Sequence, residues 1–164
     1  MGQALVRDSG GVYLALRKVL SEEDILDAAN DIIRRRFQRV GSILTAKEAM
    51  DFLYSQLIHH ENEVFGGLFL DNRHRVIQWR ILFTGTLDCC SVYPRVVLKE
   101  ALAVNAAAVI FAHNHPSGDP EPSKADCKLT TNLRNALSLI EIRVLDHIIV
   151  GHNTAVSLAE RGLL

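Results

Sequence analysis

The stretch FAHNHPSGDPEPSKAD, residues 111 to 126, brings together the side chains of this sequence best suited to chemistry. His113 and His115 are separated by one residue directly after the apolar run AAAVI. In extended backbone, alternate residues share a face, so both imidazoles can reach one ion. Asp126 follows after ten further residues, and Pro116, Gly118, Pro120 and Pro122 between them form a turning loop able to return its carboxylate over the histidines. Two histidines and a carboxylate fill three positions of a tetrahedral zinc ion and leave the fourth for water, the arrangement of a catalytic rather than a structural site. A second reading of the same residues is local. Ser123 and Asp126 have the spacing of an N-cap and its N3 partner at a helix start, and an HxH pair can be ordinary loop histidines. The two readings of Ser123 and Asp126 are compatible, because a first helical turn can cap itself and still present a side chain outward.

The elements around this stretch read as alternating strands and helices. AAAVIFA predicts a short buried strand leading into the loop. KADCKLTTNLRNALSLI predicts a helix leaving it, with Leu129, Leu133, Ala136, Leu137 and Ile140 on one stripe. EVFGGLFLD and RVIQWRILF, joined at DNRH, predict a hairpin. Pro94 opens a helix over VVLKEALAV, at a first-turn position where its missing N–H costs nothing. IRVLDHIIV and TAVSL predict closing strands. Strands mixed with helices indicate an α/β sheet covered on its faces. Residues 1–58 read as a helical lead-in. Ile25, Ala29, Ile32, Ile33 and Phe37 line one helix behind a Ser21 cap, and Ala49, Met50, Leu53 and Leu57 line a second, started by the Thr45–Glu48 capping box. Before them GVYLALRKVL predicts a short strand or arm.

Composition sets the outer bounds. With 164 residues and 48% hydrophobic content, the chain can bury one principal core. Lysine and arginine total 18 against 19 acidic residues, a net charge of −1, so no global field draws the protein to nucleic acid or an anionic membrane. Arg34, Arg35 and Arg36 form a short basic run, but consecutive helical positions point about 100° apart and cannot follow one phosphate track. Cys89, Cys90 and Cys127 are odd in number and lack metal or redox spacing, and no apolar stretch reaches membrane-spanning length. A reducing, cytoplasmic setting is expected.

His113-Asn114-His115-Pro116 followed by Ser123-Lys124-Ala125-Asp126 resembles the HxH, ten residues, D motif of the JAMM metalloproteases. The fuller string HNHPSGDPEPS is similar to their bacterial RadC-like branch, as are EVFGGLFLD, LFTGTLD, VYPR, NAAAVI, VLDHIIVG and LAERGLL. The resemblance covers about residues 60 to 164 and implies a JAB/MPN domain over 59–164, preceded by a helical extension over 1–58. Its fold would be a cytidine-deaminase-like α/β/α sandwich with a mixed sheet. It implies zinc held by His113, His115 and Asp126, with Ser123 stabilising an oxyanion and an upstream glutamate as general base. Glu63, immediately before VF, fits that position better than Glu61, which sits in a polar connector. The implied activity is hydrolysis of a peptide or isopeptide bond in a protein or peptide substrate. Water bound to zinc has its pKa lowered from 15.7 to about 7, within reach of a carboxylate base near neutrality.

The chain also departs from the family. Residues 1 to 58 lack the glycine-rich hairpin of the helix-hairpin-helix region that many RadC-like proteins carry, so an association with DNA loses its expected contact surface. Val96 stands where a glutamate is common. The alternative function is a non-catalytic, metal-containing binding module associated with DNA repair or DNA metabolism. A zinc nucleobase deaminase is disfavoured, because the HxE and PCxxC pairing is missing and Cys127 stands alone. Asp146 and His147 read as a hydrogen-bonded strand pair in preference to partners of a metal-ligating histidine, and His59, His60, His74 and His152 read as solvated.

Overall fold

The structure is a computed structural model and describes residues 5–7, 13–15, 19–40, 45–86 and 91–164. Cys89, Cys90 and parts of GVYLALRKVL lie outside them, as do the side chains of Arg34, Arg35 and Arg36. The chain divides into two compact units, Met1–Arg39 and Val40–Leu164. In the first, β1 (Leu5–Arg7) and β2 (Tyr13–Ala15) form an antiparallel pair, and α1 (Glu22–Val40) is the expected helix. It starts behind Ser21, whose hydroxyl accepts from the Asp24 amide at 3.2 Å.

The second unit contains a five-stranded sheet of order β4-β3-β5-β6-β7. Helix α2 (Ala46–Leu57) opens with the Thr45–Glu48 capping box. β3 (Val64–Leu70) and β4 (Val76–Thr84) form the antiparallel hairpin. After α3 (Pro94–Ala103), β5 (Ala108–Asn114) inserts antiparallel to β3 and parallel to β6 (Arg143–Val150), with α4 (Lys124–Ser138) as the crossover. β7 (Ala155–Ser157) closes the sheet antiparallel to β6. This is a mixed α/β sheet, the architecture expected of a JAB/MPN-like domain. The helix α2, grouped by sequence with the N-terminal lead-in, packs on β5, β6 and β7 and belongs to the second unit.

One core lies between the sheet and the α3–α4 side. Phe65 and Phe69 of β3, Val109 and Phe111 of β5, and Leu133 and Leu137 of α4 form it. Strand alternation carries the β5 row on from Val109 and Phe111 to His113. The helical stripe of Leu137 and Leu133 likewise continues back through Thr130 to Asp126 at steps of three and four residues. The two apolar rows therefore end in polar side chains at the same edge of the core. Among the described residues, no helix is long and apolar enough to cross a membrane.

Candidate metal centre

His113 stands at the end of β5, opposite Phe65 on one side and Ile149 on the other. Its ring is 1% exposed and lies nearly parallel to that of Phe65, with centroids 6.3 Å apart. His115 follows just past the strand, tied by its amide to the Val150 carbonyl at 2.8 Å. The loop from Pro116 turns at Gly118, whose φ of 89° favours glycine. There the Gly118 carbonyl accepts from the His152 amide at 3.1 Å. A Cβ on the neighbouring Gly151 would lie 2.3 Å from that carbonyl, so glycine is what lets the loop sit this close to the end of β6. The loop then delivers Ser123 as the N-cap of α4, with a complete capping box. The Asp126 amide donates to Ser123 Oγ at 3.1 Å, while the Ser123 amide and hydroxyl both donate to Asp126 Oδ2, at 2.8 and 2.6 Å. The capping reading of this pair holds, and the box, which bonds to Oδ2, leaves Oδ1 facing His113.

His113 Nε2 and His115 Nε2 are 3.0 Å apart. Asp126 Oδ1 is 3.4 Å from the first, and Oδ2 is 3.7 Å from the second. Metal–nitrogen bonds of about 2.0–2.1 Å in a tetrahedron separate the ligand atoms by about 3.4 Å, a value these spacings bracket. Among the described residues these three side chains are the group whose ligand atoms converge for a metal ion.

The hydrogen bonds behind the rings sharpen the fit. His115 Nδ1 lies 2.7 Å from the Asp119 carbonyl, which can only accept, so this nitrogen carries a proton and neutral His115 offers a lone pair at Nε2. Burial foremost pushes His113 down to about 4, so this imidazole is neutral at physiological pH. Burial favours the protonated form of Asp126, but hydrogen bonds from His115 and Ser123 outweigh it and hold the carboxyl well below the usual carboxylate range. His115 is raised, by Asp126 foremost against its own burial, and further by the Asp119 carbonyl and the charge of Glu63. Once His115 has released its Nε2 proton, the site is a cluster of acceptors facing one another, which a cation relieves.

Glu63 is half-buried just before β3. Its amide donates to the Thr86 carbonyl at 2.9 Å and its carbonyl accepts from the Gly85 amide at 2.8 Å. Asn114 holds the same segment. Its Oδ1 accepts from the Val64 amide at 2.8 Å, and its Nδ2 donates to the carbonyls of His60 and Asn62 at 3.1 and 3.0 Å. The residue between the two histidines thus points to the opposite face and anchors the backbone that carries the candidate base. Glu61 is exposed and borders a pocket of about 230 Å³ together with His60, His115, Pro116, Gly151 and His152.

The backbone that Asn114 holds is the Glu63 segment, which sequence reasoning did not foresee, and the pair in β6 is hydrogen-bonded as expected, with the His147 amide donating to Asp146 Oδ1 at 2.7 Å. The two side chains otherwise turn to different partners. Asp146 Oδ2 accepts from the Ser157 hydroxyl at 2.6 Å, whereas His147 Nε2 lies 2.8 Å from His113 Nδ1. A histidine within the apolar run HIIV was the signal, because a fully buried imidazole needs polar partners. Burial above all, and His113 beside it, push His147 well below its ordinary value. Of the histidines read as solvated, His60 and His74 are half-buried, whereas His59 and His152 are exposed.

The family model for the RadC-like JAB domain matches residues 43–163. A UPF0758 protein of Vibrio cholerae is 54% identical over 143 residues, covering 87% of this chain and 90% of that protein. A UPF0758 protein of Marinobacter nauticus is 50% identical over 151 residues, covering 92% of this chain and 67% of its own length. One of Coxiella burnetii is 53% identical over 132 residues, covering 80% of this chain and 59% of its own length. The chain belongs to the RadC-like JAB domain family. It spans most of the Vibrio protein and about three fifths of the Coxiella one.

Proposed function

We propose that the domain is a zinc-dependent hydrolase of peptide or isopeptide bonds, with His113, His115 and Asp126 as metal ligands and Glu63 as general base. The observation that supports this best is the convergence of two Nε2 atoms and an ionised carboxylate at 3.0 to 3.7 Å. A zinc ion held there supplies Lewis acidity and makes water nucleophilic near neutrality. Glu63 takes the proton of the attacking water and returns it to the departing amine. The charge of Glu63 acting on His115 favours it over Glu61 for this role. Ser123 holds Asp126 through its amide and its hydroxyl. For oxyanion stabilisation the hydroxyl turns from Asp126 to the substrate, while the amide keeps the carboxylate in place. The pocket beside His115 offers room for part of a protein or peptide substrate.

Glu63→Gln tests the reading. The variant should keep the zinc content of the wild type and lose activity on a peptide library by at least about a hundredfold, the usual contribution of a general base. An active wild type with equal activity in the variant would refute the assignment of Glu63.

A further inference from the structure

Behind His113 runs a chain of buried polar contacts that ends on the backbone of another candidate ligand. His113 Nδ1 lies 2.8 Å from His147 Nε2, His147 Nδ1 lies 2.5 Å from Thr130 Oγ1, and Thr130 Oγ1 lies 2.7 Å from the carbonyl oxygen of Asp126. His113, His147 and Thr130 are each at most 1% exposed, so water does not compete for these bonds. The last member sets the direction of all the others. A carbonyl oxygen only accepts, so the single hydroxyl proton of Thr130 goes to Asp126. The hydroxyl oxygen then accepts from His147 Nδ1–H. Neutral His147 is left with a lone pair on Nε2, which accepts from His113 Nδ1–H. The remaining lone pair of His113 sits on Nε2, the atom that faces His115 and Asp126.

We propose that His147 and Thr130 are positioning residues of the metal centre, which fix the tautomer and ring plane of His113 so that Nε2 is presented as a ligand. This rests on the reading of His113, His115 and Asp126 as a metal site. With the chain reversed, Thr130 would donate to His147, and His147 to His113. The proton of His113 would then point into the place a cation takes, and the Thr130 and Asp126 oxygens would face each other as two acceptors at 2.7 Å. His115 reaches the same tautomer by one bond to the Asp119 carbonyl, because it lies in the loop where a backbone oxygen is at hand. His113, inside the sheet, has its neighbouring carbonyls committed to strand pairing and needs a side-chain route.

The experiment compares the wild type, Thr130→Val and Thr130→Ser. Valine keeps the shape and removes the hydroxyl; serine restores it. Zinc affinity, measured by chelator competition, should fall about 10- to 100-fold in Thr130→Val, the usual effect of losing an outer partner, and recover in Thr130→Ser. Imidazole 15N shifts of the metal-free wild type at pH 8 should show His113 and His147 both protonated at Nδ1, a signature that a packing role would not require. A folded Thr130→Val protein with wild-type zinc affinity would overturn the proposal, as would a proton on His147 Nε2. If Thr130→Val does not fold, the wild-type tautomers decide. Wild-type protein that takes up no zinc overturns the metal-centre reading and the proposal with it, whereas wrong tautomers in a zinc-binding protein overturn the relay alone.

Discussion

Asp126→Asn separates the cap that the structure shows from the metal ligation proposed for the same side chain. The amide oxygen can accept the bonds that the Ser123 amide and hydroxyl give to Oδ2, so the capping box survives. The loss to the metal-free protein is the negative charge at a helix N-terminus, about 0.3–1 kcal/mol. Part of this is regained where the amide NH2, in the place of Oδ1, faces the Nε2 lone pair of His113, which the carboxylate opposes. The metal ligand, by contrast, is gone. At a free zinc concentration one hundred times the dissociation constant, binding stabilises a folded protein by about 2.7 kcal/mol. For a unit of this size, that raises the unfolding temperature by roughly 10 °C. Thermal unfolding with and without zinc should therefore show that rise in the wild type and little or none in Asp126→Asn, with the two metal-free proteins melting within a few degrees of each other. An equal zinc-induced rise in the variant would refute Asp126 as a ligand. A metal-free variant destabilised by more than about 3 kcal/mol would mean that the carboxylate supports the metal-free fold beyond its part in the cap, since that exceeds a capping loss.

Asn114→Ala removes the acceptor of the buried Val64 amide and should cost the second unit about 1–3 kcal/mol, read from urea unfolding of the metal-free protein; a loss below about 0.5 kcal/mol would show that the bonds to the Glu63 segment are dispensable. Zinc binding should strengthen from pH 6 to pH 8. His115 has its proton affinity raised and must release that proton to bind metal, whereas Asp126 is already ionised and His113, pushed down to about 4, is already neutral over this range. The slope should approach tenfold per pH unit while His115 is protonated. An affinity constant from pH 6 to 8 in chelator competition would contradict this.

The candidate ligands were legible in the sequence because their signals are local. The HxH pair depends on strand alternation, the return of Asp126 on the proline and glycine loop, and the Ser123–Asp126 box on the first turn of one helix. The hairpin, the helix after Pro94 and the closing strands also follow from short-range pattern. What lies behind the candidate ligands does not. Thr130 and His147 belong to different elements, and their meeting under His113 depends on α4 crossing over to place β6 parallel beside β5. In sequence Asn114 is one more residue of a polar loop, and only the pairing of β3 with β5 places it against the segment bearing Glu63. The sequence by itself determined which side chains could meet an ion, since that is set by spacing along one continuous stretch. The tertiary structure decided which nitrogen each histidine offers and where the candidate base stands, since both depend on hydrogen bonds between residues far apart in the chain.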